Sequence, residues 1–184
     1  IEVEGVASLG SAPPAVQRYT ARIARMDLLS PDLMRLHLAL PAGERIAYRA
    51  GQYLNIVLPD DPMGARRAFS FANAPQPGGN DEIELHVRRI EGGRFTTLVF
   101  TTMRQGDALE FEAPLGQFIL NDSARPILFV AGATGFAPVK SIVEDAFARG
   151  VKRPMHLYWG VRTARDLYLL DTIARWQREH ANFA

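Results

Sequence analysis

The hydrophobic pattern of this sequence changes its period near Arg125, and that change points to a chain built in two parts. From Tyr19 to about Asn121, apolar and polar residues alternate in short segments, as in strands with one buried face. Beyond that, continuous apolar runs alternate with segments of helical period. Since 184 residues are enough for two small domains, we predict domains at 16–123 and 124–184.

Six short strands are predicted in the first part, and a small closed antiparallel β-barrel fits such a series. The first two, YTARIARMDLL and DLMRLHLAL, form a predicted hairpin. The other four are GQYLNIVLP, RAFSFANAP, EIELHVRRI and DALEFEAP. One further segment, GRFTTLVFTTM, predicts a helix inserted in the barrel. Its residues at helical spacing are Phe95, Leu98, Val99 and Thr102.

The second part begins with the apolar run PILFVAG, which predicts a strand buried on both faces because it shows no alternation. A predicted helix, FAPVKSIVEDAFARG, follows and ends at Gly150. MHLYWG is a second predicted buried strand, and DLYLLDTIARWQREH is a second helix. This order predicts parallel strands joined by a right-handed crossover, which is the start of an α/β sheet.

Composition and charge exclude several classes of function. With 21 Lys and Arg against 20 Asp and Glu, the net charge is +1, and we do not expect nucleic acid to be a partner. Without cysteine, the chain has no thiolates for zinc or for an iron–sulfur cluster, and its histidines lack metal-site spacing. Because no apolar stretch reaches the ~18 residues of a membrane span, we expect a cytoplasmic protein.

Both ends of the chain suggest a longer protein. The chain begins at Ile1 rather than at Met, and residues 1–15 have the composition of an interdomain linker that ends near Pro13-Pro14. At the other end, the sequence stops after the second predicted helix, where an α/β pattern ordinarily enters its next strand. We therefore expect the second domain to be incomplete at its C-terminus.

Two glycine-containing turns precede predicted helices and are candidate phosphate sites. The first runs from Gly132 to Pro138, where glycine lets the backbone approach a ligand and the helix N-terminus offers unpaired N–H groups. It lacks both the G-x-G-x-x-G and the P-loop spacing, and a turn that binds nothing is the alternative. The second runs from Gly92 to Thr96; its alternative is simple capping of the inserted helix by Thr96.

A third candidate is the segment Arg67-Ala68-Phe69-Ser70 on the fourth predicted strand. Alternation places Arg67 and Phe69 on one face and Ser70 on the other. A guanidinium beside an aromatic ring suits a ligand that has a phosphate and a flat ring system. The alternative is that Arg67 is a solvated charge and Phe69 a core residue.

Taken in order, these motifs resemble the flavin and nicotinamide domains of the ferredoxin–NADP reductase superfamily. The resemblance is greatest to the branch that holds the reductase components of multicomponent oxygenases and CDP-6-deoxyglucoseen reductase. It covers the chain from about Tyr19 to the end, through GQYLNIVLP, RAFSFANAP, HVRR with GGRFTT, APLGQF, VAGATGFAPVKSI and YWGVRTARDLYL. It implies a six-stranded antiparallel FAD-binding β-barrel, followed by an α/β parallel-sheet domain that binds NAD(P)H.

The resemblance also implies roles for individual residues. Arg67 would pair with the flavin phosphates, Phe69 would pack on the isoalloxazine, and Ser70 would hydrogen-bond near flavin N5. Ser70 and Thr134 are the implied catalytic residues, with Thr134 at the junction of flavin and nicotinamide. The other implied cofactor-binding residues are Ala68, His86, Val87, Arg88, Gly93, Phe95 and Thr96 for the flavin, and Gly132, Gly135, Pro138, Arg162 and Asp166 for the nicotinamide nucleotide.

The implied function is that of a reductase that passes electrons from NADH or NADPH through FAD to an iron–sulfur centre. That acceptor would belong to an oxygenase, a ferredoxin or a related partner, with a [2Fe-2S] cluster outside this chain segment. One alternative is a flavin-binding electron-transfer subunit that does not oxidise NAD(P)H, and another is a barrel that binds no flavin.

Two departures from the family pattern carry expectations of their own. Phe69 stands where Tyr is commoner, so we expect weaker flavin retention, because one hydroxyl hydrogen bond is lost. The family's Cys-Gly turn is missing, so we expect impaired use of NAD(P)H by this segment.

Overall fold

The computed structural model describes residues 15–58 and 66–184. The predicted linker at 1–15 lies outside the described residues except for Ala15. The first part of the chain forms β1 (Gln17–Ser30), β2 (Leu33–Ala39), β3 (Tyr53–Val57), β4 (Arg66–Ser70), β5 (Glu82–Arg88), α1 (Arg94–Thr101) and β6 (Ala108–Leu115). The second part forms β7 (Ile127–Gly132), α2 (Phe136–Ala148), β8 (Met155–Gly160) and α3 (Leu170–Glu179), with short 3-10 turns at Ala133–Gly135 and Ala164–Asp166.

The first six strands form one antiparallel sheet in the order β4-β3-β6-β1-β2-β5, which confirms the predicted six-stranded antiparallel architecture. The 14-residue β1 pairs with both β2 and β6 and so spans much of the sheet. The two end strands, β4 and β5, approach each other, and just beyond β4 the N–H of Ala72 donates to the carbonyl of Glu84 at 2.8 Å. The barrel therefore closes through a few contacts and not through a further ladder in the described residues.

The barrel encloses an apolar core that holds the sheet and α1 together. Its fully buried side chains include Ile23, Leu36, Leu54, Phe71 and Phe111. Burying one such side chain contributes about 1.5–3 kcal/mol.

The inserted helix α1 packs on this core with Phe95 and Val99 buried and Leu98 half-buried, as its spacing predicts. Thr102 is exposed, so its predicted place on the packed face is wrong. The reason is that α1 ends at Thr101, and Thr102 lies at its C-terminal cap.

The strands β7 and β8 are parallel, as predicted, but they are not buried on both faces. Leu128, Val130 and Tyr158 are 64%, 74% and 64% exposed, while Ile127 and Phe129 are buried against α2 and α3. Both helices pack on the same face, and no layer covers the other face within the described residues. An apolar run shows that residues can be buried, but the layers that pack on the sheet decide which ones are.

The two parts of the chain share one packed interface. Leu33 and Ala50 from the first part are buried in the same apolar cluster as the inner side of α2. The first sheet ends at Leu115 and the second begins at Ile127, and the domain boundary between 123 and 124 stays a prediction. Within residues 15–58 and 66–184, no helix combines the length and the apolar character that crossing a bilayer requires.

Candidate functional site

A cavity of about 390 Å³ lies where the barrel meets the α/β unit. It brings together twelve of the positions that the sequence singles out, from both parts of the chain. These are Arg67, Ala68, Phe69, Ser70, His86, Arg88, Gly93, Phe95, Thr96, Thr134, Gly135 and Pro138, joined by Ile90 and Ala137. Val87, Gly132, Arg162 and Asp166 do not line it.

The strand β4 forms one wall of the cavity with four consecutive residues, Arg67 to Ser70. The expectation that Ser70 lies away from Arg67 and Phe69 is therefore incomplete. β4 is an edge strand of the described sheet, so residues from both of its faces can reach the same space. Phe69 is half-buried with its ring centre 5.2 Å from that of Phe95, and the exposed Arg67 donates from Nη1 to the carbonyl of Arg66 at 3.0 Å.

A second wall comes from the tight turn before α1. Gly93 is the N-cap of this helix, and the hydroxyl of Thr96 accepts a 3.2 Å hydrogen bond from the N–H of Ile90. The alternative for this turn, simple capping of the helix by Thr96, is not what the structure shows, because the Thr96 side chain closes the preceding turn and makes no capping hydrogen bond. A Cβ atom on Gly93 would lie 2.6 Å from Thr96 Oγ1, so close approach requires glycine there.

The turn between β7 and α2 forms another wall, and its glycines leave free space beside the backbone. Thr134, Gly135 and Pro138 line the cavity. A Cβ atom on Gly132 or Gly135 would meet no other atom within 4 Å, so the protein itself does not demand glycine at either position. Space left beside a backbone in this way is what the close approach of a ligand requires.

Arg88 places in the cavity wall a guanidinium that is only partly paired within the described residues. Its Nη1 atom lies 3.4 Å from Asp32 Oδ2 and 3.9 Å from Asp166 Oδ1. Its Nε and Nη2 atoms are buried without a hydrogen-bond partner among the described residues. Buried donors are costly when left unpaired, so this guanidinium suits an anionic group bound in the cavity.

The remaining predicted residues lie around the cavity. The side chain of Val87 is buried in the barrel core, as alternation along β5 requires when His86 and Arg88 face the cavity. Asp166 accepts hydrogen bonds of 2.9 Å from the N–H and the hydroxyl of Thr163, and these hold the pKa of its carboxyl below the ordinary value. Arg162 is exposed.

Sequence reasoning missed a buried polar chain behind the cavity. Tyr168 Oη lies 3.0 Å from His86 Nδ1, His86 Nε2 lies 2.8 Å from Glu84 Oε1, and Lys140 Nζ donates to Glu84 Oε2 at 3.1 Å. The signal was present in the strand EIELHVRRI, where Glu84 and His86 are polar residues two apart on one face. Lys140 and Tyr168 come from other parts of the chain, and only the fold brings them together.

The protonation state of this chain follows from its surroundings. Burial lowers the pKa of the His86 imidazole and raises that of the Tyr168 hydroxyl, so His86 is neutral and Tyr168 keeps its proton. Burial alone would raise the pKa of Glu84, but the hydrogen bond from His86 and the charge of Lys140 lower it to about 2. Tyr168 therefore donates to Nδ1 of His86, and the Nε2–H of His86 donates to Glu84.

Comparison with known proteins gives two family matches. Residues 20–119 match the family described as oxidoreductase FAD-binding domain, and residues 129–184 match the oxidoreductase NAD-binding domain. The chain is 44% identical over 172 residues to reductase component 2 of terephthalate 1,2-dioxygenase from Comamonas sp, covering 93% of this chain and 49% of the relative.

A curated relative in Yersinia pestis and a solved structure are also similar. The first is CDP-6-deoxy-L-threo-D-glycero-4-hexulose-3-dehydrase reductase, 38% identical over 89% of this chain and 48% of its own length. The second is the crystal structure of an Amycolatopsis cytochrome P450 reductase, with a TM-score of 0.86 and 36% identity over 97% of this chain and 54% of that chain.

The chain spans about half the length of the curated relatives that it matches. The family matches cover both of its sheets, and the cavity lies between them. The chain belongs to the oxidoreductase FAD-binding domain family, and its second part matches the oxidoreductase NAD-binding domain.

Proposed function

We propose that this chain is the flavin and nicotinamide portion of a reductase. It would take electrons from NADH or NADPH and pass them to an iron–sulfur centre of an oxygenase or a related partner. The observation that carries the proposal is that residues of β4 and residues of the β7–α2 turn line the same cavity. The names of the Comamonas and Yersinia relatives, a dioxygenase reductase component and a dehydrase reductase, support the same class of activity.

The residues of the cavity fit FAD. Arg67 and the partly paired Arg88 offer positive charge for its phosphates, and the rings of Phe69 and Phe95 offer an apolar wall for its flat ring system. Bound FAD would supply the chemistry that links two-electron hydride transfer to one-electron transfer. Ser70 would offer its hydroxyl as a donor at the reacting edge, and the two phenylalanines would exclude water from it.

The nicotinamide nucleotide would approach from the β7–α2 turn. Thr134 would orient it, while Gly135 and Pro138 leave room for its pyrophosphate at the start of α2. Arg162 and Asp166, which lie outside the cavity wall, would meet its ribose from the turn after β8. A cytoplasmic location stays a prediction of the sequence.

The test is anaerobic reduction of the FAD-loaded protein. The chain is mixed with FAD under nitrogen, NADH or NADPH is added, and the visible absorption band of the flavin is followed. We expect rapid bleaching with one or both nucleotides. If FAD binds and its colour persists, the chain is instead a flavin carrier that depends on another donor; if FAD does not bind, the cavity has been assigned to the wrong ligand.

A further inference from the structure

The interface between barrel and α/β unit contains a buried ion pair that the proposed function does not use. Lys140 of α2 and Glu84 of β5 have side chains only 8% and 9% exposed, and His86 beside them is fully buried. The pair therefore joins one residue from each of the two units that build the cavity.

Lys140 is satisfied by three acceptors at once. Its Nζ donates at 3.1 Å to the carbonyl of Ala72, to Glu84 Oε2 and to Glu144 Oε2. An ammonium group has three donors, so each is used. Ala72 belongs to the segment after β4, Glu84 to β5, and Glu144 to α2 itself, so this one side chain ties three elements together.

Ser141, the next residue on α2, also connects this helix to the segment that follows β4. The hydroxyl of Ser141 donates to the carbonyl of Asn73 at 2.7 Å. The side chain of Asn73 in turn donates to the carbonyl of Glu82 at 3.0 Å and accepts from the N–H of Glu84 at 2.9 Å. The segment at Ala72 and Asn73 is thereby fixed to β5 on one side and to α2 on the other.

These connections lie next to both walls of the cavity. Ala72 is two residues beyond Ser70, and Lys140 is two residues beyond Pro138. Glu84 is joined to His86, which lines the cavity, and His86 is joined to Tyr168 from the segment before α3. A shift of α2 against the barrel would have to break this network.

We propose that Lys140 is a positioning residue, which through Glu84 and Ala72 holds the β7–α2 turn at a set distance from the strand that carries Ser70. This inference rests on the proposed function, since the distance matters where donor and flavin must meet. A buried ion pair is weak evidence for stability but is suited to selecting one alignment of two packed parts. Reacting groups are sensitive to such alignment, because a displacement of about 1 Å can cost about 100-fold in rate.

The test compares variants of the FAD-loaded protein. Lys140→Met keeps most of the length of the unbranched side chain and removes the ammonium group, and with it the three hydrogen bonds to Ala72, Glu84 and Glu144. Arg149→Met is the matched control, since Arg149 is an exposed cation at the C-terminal cap of the same helix, and its partner, Asp145, lies one turn away on that helix. We expect Lys140→Met to lower the rate of flavin reduction by saturating NADH or NADPH at least about tenfold, with FAD affinity changed less than about twofold. Reduction as fast as in Arg149→Met would overturn the inference.

A double variant separates positioning from mere stability. Lys140→Met alone leaves Glu84 buried without its cation and should lower the melting temperature. Adding Glu84→Gln removes that buried charge, so we expect the melting temperature to recover while the reduction rate stays low. Recovery of both quantities would mean that Lys140 only neutralises Glu84, and the positioning role would be refuted.

Hydrogen exchange supplies a readout that does not depend on activity. In the protein without FAD, we expect backbone amides of residues 133–141 to exchange faster in Lys140→Met than in Arg149→Met, because the helix start is released from the barrel. Equal exchange rates at residues 133–141 in the two variants would contradict the proposal that Lys140 holds the start of α2 to the barrel. If the unaltered FAD-loaded protein is not reduced by either nucleotide, the proposed function fails, and the exchange result alone decides whether the tie exists.

Discussion

The indole Nε1 of Trp159 donates a 2.8 Å hydrogen bond to the carbonyl of Ala133, a residue held at a φ of +47°. Ala133 lies in the turn between β7 and α2, beside Thr134 of the cavity wall. The left-handed conformation is unfavourable for any residue with a Cβ atom. The tryptophan from β8 therefore helps to hold a strained turn at the point where the two units meet.

Replacing Ala133 with glycine should relieve this strain. We expect Ala133→Gly to raise the free energy of unfolding by about 1 kcal/mol. Glycine removes the steric cost of the left-handed conformation in the folded state, and this gain exceeds the loss that comes from the greater conformational entropy of the unfolded chain. In thermal denaturation this corresponds to an increase of about 2–4 °C. The control is Ala148→Gly at the end of α2, which should lower stability by about 0.5–1 kcal/mol. A loss of stability in Ala133→Gly would show that the turn is not strained.

The aromatic ring of Phe69 should determine how tightly FAD is held. Phe69→Ala removes the ring that lines the cavity beside Phe95, and we expect FAD affinity to fall about tenfold or more. Phe69→Tyr keeps the ring and adds a hydroxyl, so affinity should rise about fivefold, equivalent to about 1 kcal/mol. Quenching of flavin fluorescence during titration measures both values. Unchanged affinity in Phe69→Ala would refute the stacking role.

The charge of Arg67 should contribute to FAD binding through the phosphates. Arg67→Gln is expected to weaken binding about 10- to 100-fold, the range of a hydrogen bond to a charged group, and to reduce its dependence on salt. Arg66→Gln is the matched control, because Arg66 is the adjacent cation and its guanidinium pairs with Glu112 at 2.9 Å. Titrations at low and high salt give the comparison. Equal losses in the two variants would place the phosphates elsewhere.

A methyl group at position 135 should weaken binding of the nicotinamide nucleotide and leave the stability of the fold unchanged. A Cβ atom there meets no protein atom within 4 Å and Gly135 lines the cavity, so we expect Gly135→Ala to melt within about 2 °C of the unaltered protein. The KM for NADH or NADPH should rise about tenfold, because the methyl group takes up space beside the turn. Gly132→Ala is the control: this position is equally open but lies outside the cavity wall, and it should show the smaller change.

Stability in acid should depend on His86. In the folded protein, burial lowers the pKa of His86 below its ordinary value of 6.5. In the unfolded chain, the same imidazole takes up its proton near pH 6.5. The contribution of His86 is therefore present above pH 6.5 and is lost as the pH falls below it. Glu84 also contributes stability that is lost in acid, but only below pH 4.5, because folding lowers the pKa of its carboxyl from 4.5 to about 2. We expect the free energy of unfolding of His86→Gln to fall less between pH 7 and 5 than that of the unaltered protein.

Urea denaturation at several pH values measures this difference. Burial raises the pKa of Glu144 and Asp145, which favours folding in acid, so the comparison with the variant, and not the slope itself, isolates His86. Lys140, Glu84, Tyr168 and Arg35 are the other charged or titratable groups around His86. His156→Gln, which removes an exposed histidine of β8, is the matched control variant. If His86→Gln leaves the pH dependence unchanged, folding does not lower the pKa of His86.

Local pattern predicted a large share of this molecule from the residues alone. The alternation along YTARIARMDLL indicated β1, and the helical spacing of Phe95 and Val99 indicated α1, because periodicity records which side of an element is apolar. The ordered motifs identified the family and, with it, residues that the fold gathers around one cavity.

Other features depended on contacts between residues far apart in the chain. Leu128 and Val130 are as apolar as their buried neighbours and are exposed only because α2 and α3 pack on the other face of β7. The Thr96 hydroxyl accepts from the N–H of Ile90 and closes a turn instead of accepting from an N–H of its own helix, a choice between two donors that packing decides.

The sequence by itself therefore determined the set of strands and helices and the family. The strands and helices follow from the local hydrophobic periodicity, and the family follows from the ordered motifs. The tertiary structure alone decided that Lys140 meets Glu84 across the interface and that Tyr168 reaches His86. It also decided that two buried donors of Arg88 find no partner in the described part of the chain. Charge in a sequence has no partner until the chain folds, since burial and pairing arise only when distant segments pack together.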